Sequence, residues 1–197
     1  DWFTNTAVLL GLGTATLIST TFLIRRGDGE PFAMAGLWEG WHEQDAGEWW
    51  TALLESLRIA ISGVDIGRLA GLCICPQRET FVPVDAKGGP LDFAMTWLDR
   101  RGVEEARIIA EVTGRYVDPT FYLPKALWIF RNRPEVYRKT RHFCTCPEFV
   151  DLFLTGVART VLPSEQFTPY IWTPETIERL GMDPQKFPPF IRPGEIV

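Results

Sequence analysis

The feature that most constrains the fold is an amphipathic stretch followed by a purely apolar one. Apolar residues recur at helical spacing in the first stretch: Trp50, Leu53, Leu54, Leu57 and Ile61. Asp45 can cap this helix, with Glu48 at its third position, and Gly63 ends it. The run LAGLCIC, residues 69–75, is typical of a strand buried on both faces. This order predicts an α/β fold with a mixed sheet, and functional residues in the loop that follows the strand.

The N-terminal segment predicts strands rather than a helix. It is rich in Ser, Thr and β-branched residues, and the turn sequences GLGT and GDGE interrupt it. The expected strands are residues 7–10, 17–24 and 31–35, which start the sheet as a meander. The alternative is a membrane-anchored subunit with its anchor at residues 7–24, because this stretch is apolar overall and two arginines follow it.

Composition excludes some classes of protein and function. With 46% hydrophobic and 23% charged residues among 197, the chain is a folded globular protein. Its net charge of −5 argues against nucleic acid as a partner, because phosphate binding needs a basic surface. A reducing cytoplasm is the default compartment, since nothing in the sequence requires a disulfide.

Four cysteines form two closely spaced pairs, Cys73 with Cys75 and Cys144 with Cys146. Structural zinc sites usually have about two to four residues between paired cysteines, whereas a single residue separates each pair here. Both pairs fall in apolar, strand-like runs, which favours small core residues over zinc ligands.

The second half of the chain predicts mainly helices. Three of them cover residues 104–112, 123–132 and 148–155, and Gly114 and Gly156 end the first and the third. Thr173 caps a fourth helix that begins at Pro174 and ends at Gly181. The closing stretch FPPFIRPGEIV is proline-rich and is expected to be extended.

Six motifs, taken in order, resemble a known family. They are GLGT, GWHEQDAGEWW, PQRETFVPVD, TWLDRR, LTG and LGMDPQKFPPFIRPGEIV, and together they are similar to the N-terminal part of the FGGY carbohydrate kinases. The resemblance implies an actin-like (ribonuclease H-like) N-terminal domain, phosphoryl transfer from ATP to a sugar hydroxyl, and Mg²⁺. It also divides residues 1–197 into a sheet core with a substrate loop, 7–101, and a mostly helical part, 102–197.

The resemblance also implies substrate-binding residues. The Arg-Glu of the family's QRET motif contacts substrate hydroxyls, which gives that role to Arg78 and Glu79. Trp97 matches a tryptophan that packs beside the polyol, and Gln77 and Asp99 complete the candidate set. Without the resemblance, an ion pair between Arg78 and Glu79 and a core position for Trp97 would be the simpler interpretation.

The phosphate end of the site departs from the family. The family's first turn reads Asp-x-Gly-Thr, and an ungapped alignment places Gly11 at the aspartate. Gly13 and Thr14 are kept, and they are the candidates for phosphate binding. Ile18 stands near a position that is usually basic, and Thr120 replaces an aromatic contact with the substrate.

The resemblance places the family's catalytic aspartate and its adenosine-binding segments beyond Val197. We therefore expect no catalytic base and no metal ligand in this chain, and ATP and Mg²⁺ binding only when a second domain completes it. Two hypotheses stay open: the sugar- or polyol-binding part of an ATP-dependent kinase, and a non-catalytic, pseudokinase-like binding or scaffold subunit. In either case we expect self-association or a partner chain that supplies the second domain.

Overall fold

A computed structural model of the chain describes residues 4–12, 14–22, 41–75, 78–162, 172–192 and 194–195, with residues 4–22, 70, 72, 73 and 75 described by their backbone. The chain forms two compact units. One comprises Asp1–Leu37 and Gly47–Gln77, and the other comprises Trp38–Ala46 and Arg78–Val197.

The sheet of the first unit has the strand order β2-β1-β4 and is antiparallel throughout. Strand β1 (Thr4–Leu12) and strand β2 (Thr14–Phe22) form a hairpin, which confirms the first two predicted strands; the third, residues 31–35, lies outside the described residues. Residues 7–12 and 14–22 thus form paired strands, which contradicts the alternative of an anchor helix in this stretch. Among the described residues, no helix is long and apolar enough to cross a membrane.

The predicted helix and apolar strand are both present in the first unit. Helix α1 (Ala46–Ala60) begins directly after Asp45, and Gly63 follows it with a φ of 76°. Strand β4 (Leu69–Cys75) is present, as the apolar run predicts, and it pairs with β1. Burial on both faces is not met at Gly71, which is exposed, or at Ile74, which is half-buried. Among the described strands, β4 has β1 as its one neighbour and comes last in the strand order.

The second unit contains a four-stranded antiparallel sheet in the order β3-β6-β5-β7. Its strands are β3 (Glu43–Gln44), β5 (Phe81–Val84), β6 (Ala94–Met95) and β7 (His142–Thr145). All four residues of β5 are buried, because β5 lies between β6 and β7. Periodicity does not predict β3, β5 or β6, since a strand of two to four residues is too short to show a pattern.

The same unit contains helices, most of which the sequence predicts. They are α2 (Val103–Thr113), α3 (Tyr122–Asn132), α4 (Pro134–Lys139), α5 (Cys146–Thr155) and α6 (Pro174–Arg179). Gly114 and Gly156 end α2 and α5 in the left-handed conformation that favours glycine, as expected. Thr173 caps α6 through its hydroxyl, which accepts from the Thr176 N–H. Helix α4 had not been predicted.

The core of the second unit is aromatic and aliphatic. Phe81 of β5, Ile129 of α3 and Phe143 of β7 are fully buried in one cluster. Strands β8 (Thr160–Val161) and β9 (Phe190–Ile191) form a short parallel pair, so part of the proline-rich closing stretch is extended as predicted. The core packs α3 against β5 and β7, and it thereby fixes the loop that enters β5.

Candidate functional site

The loop before β5 carries the first two candidate residues. The Arg78 side chain is exposed, and Glu79 is half-buried with a φ of 58°. A left-handed conformation costs a non-glycine residue roughly 1–2 kcal/mol, so it persists only where other contacts hold it. Glu79 Oε2 accepts a hydrogen bond of 2.9 Å from the backbone N–H of Tyr122. That N–H is free to donate because it belongs to the first turn of α3.

A second loop, after β6, lies against the first. The backbone N–H of Trp97 donates to Thr80 Oγ1 at 3.0 Å, so the two loops are joined directly beside Glu79. The Trp97 side chain is 47% exposed and is therefore not a core residue. Trp97 therefore belongs to a loop that is hydrogen-bonded to the loop of Arg78 and Glu79. An exposed indole can cover the carbon chain of a ligand while polar groups contact its hydroxyls.

Lys125 connects the two loops from the interior of the unit. It is fully buried in α3, and its ammonium donates to the carbonyl oxygens of Glu79 at 2.8 Å and Thr96 at 2.7 Å. Burial lowers the pKa of Lys125 to about 8, although the charges of Asp99 and Glu79 partly oppose that shift. Sequence reasoning missed this residue. The available signal was a single lysine inside the apolar run YLPKALWIF.

Asp99 has a different environment from Trp97, although the two are close in sequence. It is fully buried and accepts hydrogen bonds from the His42 N–H at 2.8 Å and from the backbone and side chain of Arg101. Arg101 also contacts Glu43 at 2.6 Å and lies 4.1 Å from the ring centre of Trp41. These contacts make Asp99 the partner of Arg101, with no surface left for a ligand.

The pKa of Arg101 reflects this environment. Burial alone would lower it, but the hydrogen bonds and charges of Asp99 and Glu43 more than offset that effect, so the pKa is raised. Arg101 also lies 5.0 Å from the ring centre of Trp128, which packs edge-on against Trp41. The cluster ties the segment before β3 to the loop after β6, and so it supports the position of Trp97.

The remaining candidates belong to the first compact unit. Gly13 and Gln77 lie outside the described residues, and the backbone of Thr14 begins β2 in the first unit. Their roles stay predictions. Thr120, at the position of the family's aromatic contact, donates from both its N–H and its hydroxyl to Asp118 in the turn before α3.

The described residues do not fit a metal site. Within them, no three His, Cys, Asp or Glu side chains are placed to hold a metal ion. Cys144 lies in β7, whereas Cys146 is the first residue of α5. The prediction that both cysteines lie in one strand is therefore wrong. Both are buried; burial raises the pKa of Cys146 to about 12 and that of Cys144 well above its ordinary value. Neither thiol is therefore a ready thiolate ligand.

Comparison with known proteins finds one matching family model and several relatives with similar sequences. Residues 28–197 match the model of the FGGY family of carbohydrate kinases, N-terminal domain. The chain is 29% identical over 170 residues to a xylulose kinase of Streptomyces rubiginosus, which is 78% of this chain and 35% of that protein. It is 34% identical over 134 residues to a glycerol kinase of Ectopseudomonas mendocina, 60% of this chain and 27% of that protein. The chain thus spans about a third of the length of these relatives.

Solved structures give the same fold. The chain is similar to a ligand-bound xylulose kinase from Lactobacillus acidophilus, with a TM-score of 0.75 and 18% identity over 99% of this chain and 42% of that one. It is also similar to a gluconate kinase from the same organism, with a TM-score of 0.72 and 20% identity over 94% of this chain and 39% of that one. These similarities confirm the predicted α/β, actin-like fold.

Proposed function

The chain belongs to the FGGY family of carbohydrate kinases, and on that premise we propose that it is the sugar- or polyol-binding part of an ATP-dependent kinase. One observation carries the proposal. The loop with Arg78 and Glu79 is hydrogen-bonded to the loop with Trp97, and Lys125 holds both loops from the interior. Two polar side chains and an exposed indole thus stand on neighbouring, hydrogen-bonded loops.

The chemistry of these side chains suits a polyol. The Arg78 guanidinium offers several N–H donors in a fixed plane, and a carboxylate offers acceptor positions for hydroxyl hydrogens. One oxygen of Glu79 is oriented by Tyr122, which leaves acceptor capacity on the carboxylate for a ligand. Trp97 supplies an apolar surface for the carbon chain. The relatives' names, xylulose kinase and glycerol kinase, suggest a pentulose or glycerol as the substrate class.

Phosphoryl transfer requires groups outside this loop pair. We propose that ATP and Mg²⁺ bind only when a second domain completes the protein, and that the backbone of Gly13 and Thr14 faces a phosphate. The family match begins at residue 28, so support for this turn comes from the sequence motif alone. The part of the reaction we assign to the described residues is to bind the acceptor sugar and orient its hydroxyl.

Binding measurements test the proposal. Glycerol, D-xylulose and D-ribulose are titrated by calorimetry into the protein as its gene encodes it, including any sequence beyond residues 1–197. We expect one of these sugars to bind. Arg78→Ala and Glu79→Gln each should weaken that binding about 10- to 100-fold, because hydrogen bonds that involve a charged group are lost.

Controls separate this role from a general loss of structure. Arg115→Ala removes an exposed arginine at the end of α2 and should leave the affinity unchanged. Trp97→Phe should reduce the change in tryptophan fluorescence on binding, which identifies the responding residue among the eight tryptophans. Absence of binding by the wild type, or equal affinities for the wild type and Arg78→Ala, would refute the assignment.

A further inference from the structure

We infer that Lys125 is a positioning residue: it sets the spacing between the Arg78–Glu79 loop and the Trp97 loop and thereby sets the affinity for the polyol. The inference rests on the proposed function and adds to it a residue that contacts no substrate. Lys125 acts through the backbone, because its ammonium donates to one carbonyl oxygen in each loop, Glu79 O at 2.8 Å and Thr96 O at 2.7 Å.

The first turn of α3 holds Glu79 at two points. The Tyr122 N–H binds the carboxylate of Glu79, and Lys125, three residues further along the same helix face, binds its carbonyl. Glu79 has a φ of 58°, a conformation that a glutamate keeps only when several contacts determine it. Without Lys125 the main chain of Glu79 would lose one of these contacts and could relax towards an ordinary conformation.

The same ammonium holds the second loop next to the residue that carries the indole. Thr96 O, the acceptor, immediately precedes Trp97, whose N–H donates to Thr80 Oγ1. The two loops are therefore joined by a direct hydrogen bond and by a shared cation. A shift of either carbonyl would move the indole relative to Glu79, and geometric changes of about 1 Å strongly affect binding and reactivity.

A buried lysine is an unfavourable choice for filling space alone. Its charge must be desolvated. The residues of α3 on either side of Lys125 are apolar, so Leu or Met would fit at this position. Four charged groups act on Lys125: Asp99, Glu79 and Asp118 favour its charged form, and Arg101 opposes it. Its pKa is lowered to about 8, so it is still mostly charged at neutral pH and loses its proton in mildly alkaline solution.

The test compares Lys125→Met, Lys125→Arg and the matched control Lys186→Met in the protein as its gene encodes it. Lys186 also donates to a backbone carbonyl, that of Thr140, but it lies beside Tyr137, away from the substrate loops. For whichever of glycerol, D-xylulose and D-ribulose the wild type binds, we expect Lys125→Met to raise Kd and KM about 10- to 100-fold, with a much smaller change in kcat.

Two further readouts distinguish positioning from simple stability. Hydrogen exchange should speed up in peptides covering residues 78–80 and 96–99 of Lys125→Met, and it should not do so in Lys186→Met. The wild-type KM should rise above about pH 8, as Lys125 loses its proton, and this rise should be absent in Lys125→Arg, which stays charged. Lys125→Arg should also recover part of the affinity at neutral pH.

The outcomes of these measurements distinguish a failure of the inference about Lys125 from a failure of the proposed function. If the wild type binds a polyol and Lys125→Met binds it equally well, the inference about Lys125 is wrong and the proposed function stands. A loss of kcat or of folded protein at constant KM, matched in Lys186→Met, also refutes it, because that pattern reflects stability alone. If the wild type binds none of the three sugars, the proposed function fails and this inference fails with it.

Discussion

Asp99 and Arg101 form a buried ion pair in the loop that carries Trp97. Asp99 is fully buried, and the Arg101 side chain is 2% exposed. Asp99 Oδ1 accepts from the backbone N–H and the Nε–H of Arg101, and Oδ2 accepts from the His42 N–H and from the Arg101 side chain. Such a pair adds little net stability compared with an apolar pair, but removal of one partner leaves the other charge buried and uncompensated. The motif TWLDRR therefore contributes both an exposed residue, Trp97, and a structural one, Asp99.

We predict that Asp99→Asn destabilises the protein by about 3 kcal/mol, because Arg101 then keeps Glu43 as its one charged partner among the described residues. Urea denaturation followed by circular dichroism measures the change. Arg107→Gln serves as the control, since Arg107 forms ion pairs with Glu104 and Glu111 on the exposed face of α2 and should leave the midpoint nearly unchanged. Equal midpoints for Asp99→Asn and the wild type would contradict the prediction.

Helix α5 shows how a local sequence pattern can bury a carboxyl group. Thr145 and Glu148 form a capping box, in which the Glu148 carboxylate accepts from the Thr145 N–H and Thr145 accepts in turn from the backbone. Glu148 is 1% exposed because α5 follows β7 without a loop. Burial raises its pKa to about 7, although hydrogen bonds from Thr160 and Thr145 partly oppose the shift.

This pKa predicts the direction of a pH effect on stability. Between about pH 4.5 and 7 the folded protein holds the Glu148 proton more tightly than the unfolded chain does, so stability falls as the pH rises through this range. Asp151, with a pKa raised by burial to about 6, acts in the same direction. The contribution of Glu148 is limited to roughly 1.4 kcal/mol per pH unit.

Urea midpoints at about pH 5 and about pH 7.5 test this effect. Glu148→Gln cannot ionise but keeps an acceptor for the Thr145 N–H, so it should reduce the difference between the two midpoints. Glu111→Gln, at an exposed position on α2, should keep the full difference. An unchanged pH dependence in Glu148→Gln would show that its carboxylate does not ionise on unfolding.

The whole chain forms two compact units, and it is much shorter than the relatives that it matches. The chain spans 35% of the xylulose kinase from Streptomyces rubiginosus. Phe93, Trp97 and Val103 are all exposed within one segment of the second unit. Exposed apolar groups of this kind often mark a surface that another domain or chain covers.

We predict that residues 1–197, produced alone, associate in a concentration-dependent way through this segment. Light scattering after size-exclusion chromatography measures the mass over a range of concentrations. Replacing Phe93 and Trp97 by Lys should shift the protein towards the monomer, whereas Tyr116→Lys, at another exposed aromatic residue, should not. A monomer at every concentration would contradict the prediction.

The sequence by itself determined the elements whose signals are local. Periodicity and caps identified α1, α2, α3, α5 and α6, and turn residues identified the β1–β2 hairpin, because a helix or hairpin depends on residues a few positions apart. Motif order identified the family and nominated Arg78, Glu79 and Trp97. These assignments needed no information about distant contacts.

Tertiary structure alone decided which residues share an environment. Asp99 and Trp97 are two positions apart, yet one is buried against Arg101 and the other is exposed, because backbone direction and packing set burial. The Lys125 ammonium donates to carbonyl groups 46 and 29 positions away in the chain. Main-chain carbonyls are identical in every residue, so no sequence pattern can show which of them a lysine will contact.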